Sequence, residues 1–472
     1  MEALHHGTSM VGAPCWVCAN HRNLRRALEL HNCSSQAFQL KACGESKLRM
    51  RASSSIAKSS AVLAMSNFHA QSLQALYDAQ MVHHISNSKL AVGHTQADHN
   101  MKVQQRQHAA HDYVVPDFIP PFTYKSNPGV QEANKAAVKW AVHHFESILS
   151  PENFQKLIYE AKFHHLAGAM YTDAPISRLE FAIEFLTWLY VLDDESLLQR
   201  SSVQELVQFQ LEIQLVIMSG FPQDKSLQDN LKKCVSIKLG NEFAKDFVDN
   251  VLTQATGKDL LGTGYGDPLS PIASAFQDLW IRAISVMPEG WSLRFAKVLQ
   301  RDVLANFLES FNLHHNICPS VSAYTQERRS NGIVIPPIVL QEFLQDVFLP
   351  DSIFDSLPMQ RLIDATADVI CWDNDIWSFP KELAAGEEAN LVFLTSKEEG
   401  CSYNEAAEIV TKMMINKCKE MELAAIELRE YCKIQELTTS QKAAIEHYIS
   451  CCKHGVSGAH TFYSRSSRYK NS

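Results

Sequence analysis

"CWDNDIWSFPKELAAG", Cys371 to Gly386, sets three residues that disfavour helix interiors, Asn374, Ser378 and Pro380, among apolar neighbours that read as a buried helix. Asn374, Ser378 and Glu382 stand four apart each time. Every step of four turns an α-helix by about 400° and climbs about 6 Å, so the three side chains share one face within about 80°. Pro380 removes the bond to the Ile376 carbonyl and predicts a kink, so the shared face is firmer for Asn374 and Ser378 than for Glu382. Asn, Ser and Glu oxygens are hard donors suited to a divalent cation such as Mg²⁺. With one charge among the three, such a cation keeps positive charge for an anion, and Lys381 sits beside Glu382 to reach the same anion. The spacing alone is a weak signal.

A second carboxylate group lies upstream. In "RLEFAIEFLTWLYVLDDESL" the residues Phe181, Phe185 and Leu189 form an i, i+4, i+8 stripe whose next member is Asp193, followed at once by Asp194 and Glu195. A charge where the stripe faces inward is costly unless paired, and acids at a helix C-terminus oppose its dipole. A bound divalent metal removes both penalties. The competing reading ends the helix at Leu192 and leaves the acids in solvent.

Around these two stretches the body reads as helical throughout. Apolar residues recur at three- and four-residue spacing in Ala137, Trp140, Ala141, Phe145 and Ile148, and again in "AFQDLWIRAI" and "FAKVLQRDVLANFLESF". Strand signals are scarce and no repeat is visible. An extended, Pro-rich entry, "YVVPDFIPPFTYKSNPG", begins at Tyr113, so residues 113–472 are expected to form one all-α domain. Hydrophobic residues make up 46% of the 472, enough for a sizeable core, and no apolar run of about 18 residues predicts a membrane span. A net charge of −9 weighs against nucleic-acid binding. The 12 scattered cysteines read as free thiols, with a faint zinc-like grouping of Cys15, Cys18, His21, His31 and Cys33 that fits no standard spacing.

Residues 1–112 differ in texture. The first 65 hold eight Lys or Arg against three acids and are rich in Ser and Ala, the composition of an organelle transit peptide or of a tail without an address. Residues 66–112 are rich in His, Gln and Asn and read as a linker or marginal helix.

Four features fall in one order: the acids Asp193 and Asp194, an Arg before a Gly-terminated break (Arg328, Asn331, Gly332), the Asn374/Ser378/Glu382 helix, and the terminal pair Arg468-Tyr469. Together with the entry "VPDFIPPFTYKSNPG" and the stretches "PIASAFQDLWIRAI" and "YTQERRSNGIVI", this order resembles the class I terpene synthases of the microbial type also found in non-seed plants. The likeness covers about 360 residues of the chain. It implies a helical bundle with a central apolar pocket, three Mg²⁺ ions (or Mn²⁺), and a linear prenyl diphosphate as substrate. Asp193 and Asp194 would hold metal on one wall, and Asn374, Ser378 and Glu382 on the other. Arg328, Lys381, Arg468 and Tyr469 would grip the diphosphate. Arg328, preferred to Arg329 because it lies three before Asn331, would sense it through Asn331 and Gly332.

Three departures stand out. Leu197 and Leu198 fill the places of the family's further acid, leaving Glu195 to substitute; Asn331 stands where Asp is frequent; and residues 200–265 read as an insertion. The resemblance implies cyclisation of farnesyl diphosphate to a sesquiterpene. The C10 and C20 diphosphates are the alternatives, a plastid address favouring them over a cytosolic C15 enzyme. A trans-prenyltransferase shares the fold but carries a second Asp-rich cluster in place of Asn374/Ser378/Glu382, and a non-catalytic prenyl-binding protein is the third reading. Phe185, Trp188 and Trp372 are candidates to face a carbocation, with ordinary core packing as their rival reading. Monomer and homodimer both stay open.

Overall fold

A computed structural model describes residues 106, 108–192, 203–239, 241–257, 269–314 and 318–469. All of them fall in one compact unit spanning Met65–Ser472. The transit-peptide reading, the zinc-like grouping, Asp193, Asp194 and Glu195 lie outside the described residues.

Every regular element among the described residues is helical. The longer ones are α1 (Val130–Phe145), α2 (Phe163–Met170), α3 (Ile176–Val191), α4 (Val203–Ser219), α5 (Lys225–Leu239), α6 (Asn241–Gly257), α7 (Pro271–Ile284), α8 (Glu289–His314), α9 (Val321–Asn331), α10 (Leu357–Ala385), α11 (Leu391–Glu399), α12 (Tyr403–Lys433) and α13 (Thr439–Arg465). None of them is long and apolar enough to cross a membrane. The region read as an insertion contributes α4 to α6. The eight described cysteines are free thiols.

The α1 stripe buries Ala137, Ala141 and Phe145, while Ile148, beyond the helix end, is exposed. Tyr113 to Asn127 run without regular structure, in keeping with Pro116, Pro120 and Pro121 in that stretch. Phe118 and Phe122 are nonetheless buried, so the entry lies along the body as a strap.

The axis of the bundle is α10, which packs along α12 and α13 and meets α9 and α11. It buries apolar residues on every side, the pattern of a fully interior helix. Three acids are buried along it, and each has a partner. Asp368 takes two bonds from Arg329, at 2.6 and 2.8 Å, and lies 3.3 Å from Lys417. Asp373 meets His460 of α13 at 3.1 Å. Asp375 meets Arg328 and Tyr324 of α9. Leaving any one of these carboxylates unpaired costs several kcal/mol, so the pairs fix how α10 sits against its neighbours. Gly386, at φ +86°, ends the helix in the left-handed conformation that glycine takes without strain.

Candidate active site

One cavity is walled by α2, α3, α8, α9, α10 and the C-terminal residues Arg468 and Tyr469. Its apolar lining includes Leu166, Met170, Leu186, Leu189, Ile370 and Val334. The sequence-predicted residues Arg328, Asn331, Gly332, Asn374, Ser378, Lys381, Glu382, Arg468 and Tyr469 all line it as well. Asp193 and Asp194 are not described, but α3 brings Leu189 and Tyr190, a few residues before them, to the same cavity.

The α10 wall keeps all three oxygen donors. The helix runs on through Pro380 to Ala385, so the expected loosening at Glu382 does not take it off the shared face. Asn374 accepts from Arg328 at 3.0 Å through Oδ1 and donates to the Tyr469 hydroxyl at 2.9 Å through Nδ2. It therefore ties the α9 arginine to the C-terminal tyrosine. Glu382 accepts from Asn390 at 2.8 Å. Burial, and next the charge of Asp375, push the Glu382 carboxyl above its ordinary range. Ser378 Oγ is buried without a well-aligned hydrogen bond, although it sits near enough to Glu382 to help hold that carboxyl down.

These features fit a divalent cation. A carboxylate whose charge is disfavoured, a hydroxyl without a good partner and an amide oxygen face one cavity. Among the described residues no three His, Cys, Asp or Glu side chains cluster as a metal site, so this wall depends on Asn and Ser oxygens as well as its one acid.

Arg328 is the best-held cation of the site. Its guanidinium bonds Asp375 at 3.1 Å, Asn374 at 3.0 Å and Asn331 at 3.4 Å, with Glu309 at 3.8 Å. Burial alone would lower its pKa, but the negative groups around it, Asp375 first, hold it well above its ordinary value. Arg329 turns the other way, to Asp364 and Asp368, and does not line the cavity. The helix beyond Arg328 ends at Gly332, as expected, but the left-handed backbone falls one residue later. Gly332 is right-handed at φ −73°, and the positive φ, +47°, falls on the β-branched Ile333, a strained position worth about 1–3 kcal/mol. Gly332 is needed for proximity instead. A Cβ there would lie 2.6 Å from Cys371 Sγ and 3.1 Å from the Arg328 carbonyl. Gly332→Ala should therefore destabilise the protein by about 1–3 kcal/mol, and adding Cys371→Ala should restore most of the loss. A wild-type melting curve for the Gly332→Ala single variant would refute the packing argument.

For the three candidate aromatics the core-packing reading holds. Phe185, Trp188 and Trp372 do not line the cavity. Trp188 stacks on Phe276 at 4.7 Å and donates to the Ile272 carbonyl, Phe185 packs 5.8 Å from Phe295, and Trp372 lies under Lys417. All three are core residues; Phe185 and Trp188 sit on the side of α3 that meets α7 and α8. The aromatic rings at the cavity are Tyr190, Tyr463 and Tyr469, and the Arg468 guanidinium lies over Tyr190, 5.2 Å from its centroid.

Asp375, Tyr324, Asn390 and Glu309 are site residues that sequence reading missed. Tyr324 donates to Asp375 at 2.8 Å, the Leu391 amide donates to the same oxygen, and Asn390 bridges the Asp375 carbonyl and Glu382. The one available signal was the unexplained pair of acids flanking Asn374 in "DND".

A profile of terpene synthase family 2, C-terminal metal binding, matches residues 184–420, a range that holds the α9 and α10 walls. The α-gurjunene synthase of Marchantia polymorpha is 28% identical over 311 residues, 61% of this chain and 69% of that protein. The (+)-T-muurolol synthase of Roseiflexus castenholzii, named as (2E,6E)-farnesyl diphosphate cyclizing, is 22% identical over 61% of this chain and 75% of its own. Among solved structures, an α-eudesmol synthase aligns over 74% of this chain and 99% of its own, with TM-score 0.59 and 17% identity, which establishes a shared fold. The chain belongs to the class I terpene synthases, in the family defined by that C-terminal metal-binding region.

Proposed function

We infer that this terpene synthase ionises and cyclises a linear prenyl diphosphate, farnesyl diphosphate before its C10 and C20 counterparts, to a sesquiterpene with release of diphosphate. The observation that supports the reading is the cavity itself, whose lining joins the cations Arg328, Lys381 and Arg468 to apolar Leu166, Met170, Leu186, Leu189 and Ile370. The farnesyl diphosphate preference is supported by the named activity of a relative.

The reaction needs the allylic C–O bond to break with its electron pair leaving on the diphosphate oxygen. Arg328, Lys381, Arg468 and Tyr469 line the cavity and would meet the oxygen charge as it grows. Asn374, Ser378 and Glu382, opposed by Asp193 and Asp194, would hold Mg²⁺, which when bound supplies further positive charge to the leaving group. The ligands already around Arg328 aim it before substrate arrives, so little reorganisation is required at ionisation. Leu166, Met170 and Ile370 would exclude water that quenches the carbocation to an alcohol, and the Tyr463 ring at the cavity would be worth about 0.5–2 kcal/mol to a cation.

The test offers purified protein the C10, C15 and C20 diphosphates side by side with Mg²⁺, and measures volatile product and released diphosphate. A cyclic hydrocarbon from the C15 substrate is the expected result. Absence of product and of diphosphate release from all three would sink the reading.

A further inference from the structure

We propose that Tyr113, on the entry strap, is a positioning residue for the α10 metal wall, acting through the carbonyl that Pro380 leaves without a helical donor. Proline has no N–H, so the Ile376 carbonyl lacks its partner four residues on, and a helix normally kinks at such a gap. Here α10 continues to Ala385. The Tyr113 hydroxyl donates to the Ile376 carbonyl at 3.2 Å, long for a hydroxyl donor but aimed at the atom in need. Its ring rests on Phe379, with centroids 4.7 Å apart, which places the hydroxyl beside the break.

The strap is anchored on both sides of this contact. Val114 N–H donates to Asn404 at 3.0 Å. Arg106 donates to the Gly386 carbonyl at 3.1 Å and pairs with Glu388. Tyr113 and Arg106 thus bracket residues 376–386, the turns that carry Ser378, Lys381 and Glu382 to the cavity. Neither Tyr113 nor Arg106 lines the cavity, so their influence passes through α10. The register of Glu382 against Asn374 depends on whether α10 holds its course across Pro380, and Tyr113 is the strap side chain bonded at that gap.

The proposal rests on the metal-wall reading above, and the test separates the two. Tyr113→Phe keeps the ring and removes the hydroxyl. Pro380→Ala gives residue 380 an N–H that can bond Ile376 directly. In the metal-free full-length protein, Tyr113→Phe should raise amide exchange at residues 381–385 about two- to tenfold, the worth of one hydrogen bond. It should raise the Mg²⁺ concentration for half-maximal binding of inorganic diphosphate by a similar factor, with melting temperature close to wild type. Pro380→Ala alone should leave both near wild type, and Tyr113→Phe/Pro380→Ala should return both to it. That rescue is specific to the carbonyl, since a general packing role for Tyr113 would not respond to an amide four residues along α10. Unchanged exchange in Tyr113→Phe, or failure of Pro380→Ala to restore it, overturns the proposal. Exchange that rises and is rescued while no prenyl diphosphate turns over supports the latch and counts only against the assigned reaction.

Discussion

Arg328→Met will remove turnover and destabilise the protein together, and Asp375→Asn on the same chain will return the stability without the turnover. The guanidinium is mostly enclosed and bonded to Asp375, itself 1% exposed. Methionine keeps much of the apolar stem and removes the charge, leaving the Asp375 carboxylate buried beside Tyr324 and the Leu391 amide with no cation. An uncompensated buried charge of this kind costs about 3–5 kcal/mol. A neutral amide at position 375 would still accept from Tyr324 and Leu391, so the double variant should regain most of that loss, and the coupling read from the double-mutant cycle should be large. If Arg328 grips the leaving diphosphate as proposed, turnover should stay down by roughly 10²–10³ or more in both. Melting curves and kcat/KM on the four proteins decide it. A double variant no more stable than Arg328→Met would show that the ion pair is not what holds α9 to α10, and turnover within a few-fold of wild type would remove Arg328 from the site.

The contrast between Asn374 and Asp375 shows how far sequence reading reached. Asn374, Ser378 and Glu382 could be placed on one face because a helix sets that relation within a few turns, whatever it packs against. The long helices were legible for the same reason, as their apolar periodicity is local. Asp375 needs Arg328 and Tyr324, about fifty positions away, and Asn390 reaches back to Glu382 across the α10–α11 turn. Those are tertiary relations with no period to read. Phe185 and Trp188 show a second limit. The stripe on α3 was real, but it is wide enough to face both the cavity, through Leu186 and Leu189, and the aromatic stack with Phe276 and Phe295. A stripe identifies what is buried, not which of two interiors it enters. Pro380 was read correctly as a missing bond; what the sequence could not supply was the hydroxyl from Tyr113 that meets the freed carbonyl.

Glu382→Gln is expected to abolish turnover while leaving the metal-free protein as stable as wild type or more so, the opposite pairing to Arg328→Met. Glu382 is the one charged donor on its wall, and burial and the neighbouring Asp375 both disfavour that charge in the folded state. A carboxyl whose folded pKa lies above its unfolded value weakens the fold once pH exceeds the unfolded value, and a neutral amide of the same shape does not. Gln can also keep an oxygen toward Asn390, whose amide now holds Oε2 at 2.8 Å. On the proposed reading, a divalent cation bound at this wall would offset the cost of the buried charge, a trade of stability for function. Without the charge, the Mg²⁺ needed for half-maximal turnover should rise steeply and kcat/KM should fall by roughly 10²–10³. Thermal melts in a chelator, set against turnover over a range of Mg²⁺, measure both halves. If Glu382→Gln melts lower than wild type in the chelator, the carboxylate is serving the fold and not a metal. If turnover survives at unchanged Mg²⁺, the α10 wall is not the cation's seat, and the resemblance of "NDIWSFPKE" to a metal-binding run is one of spacing alone.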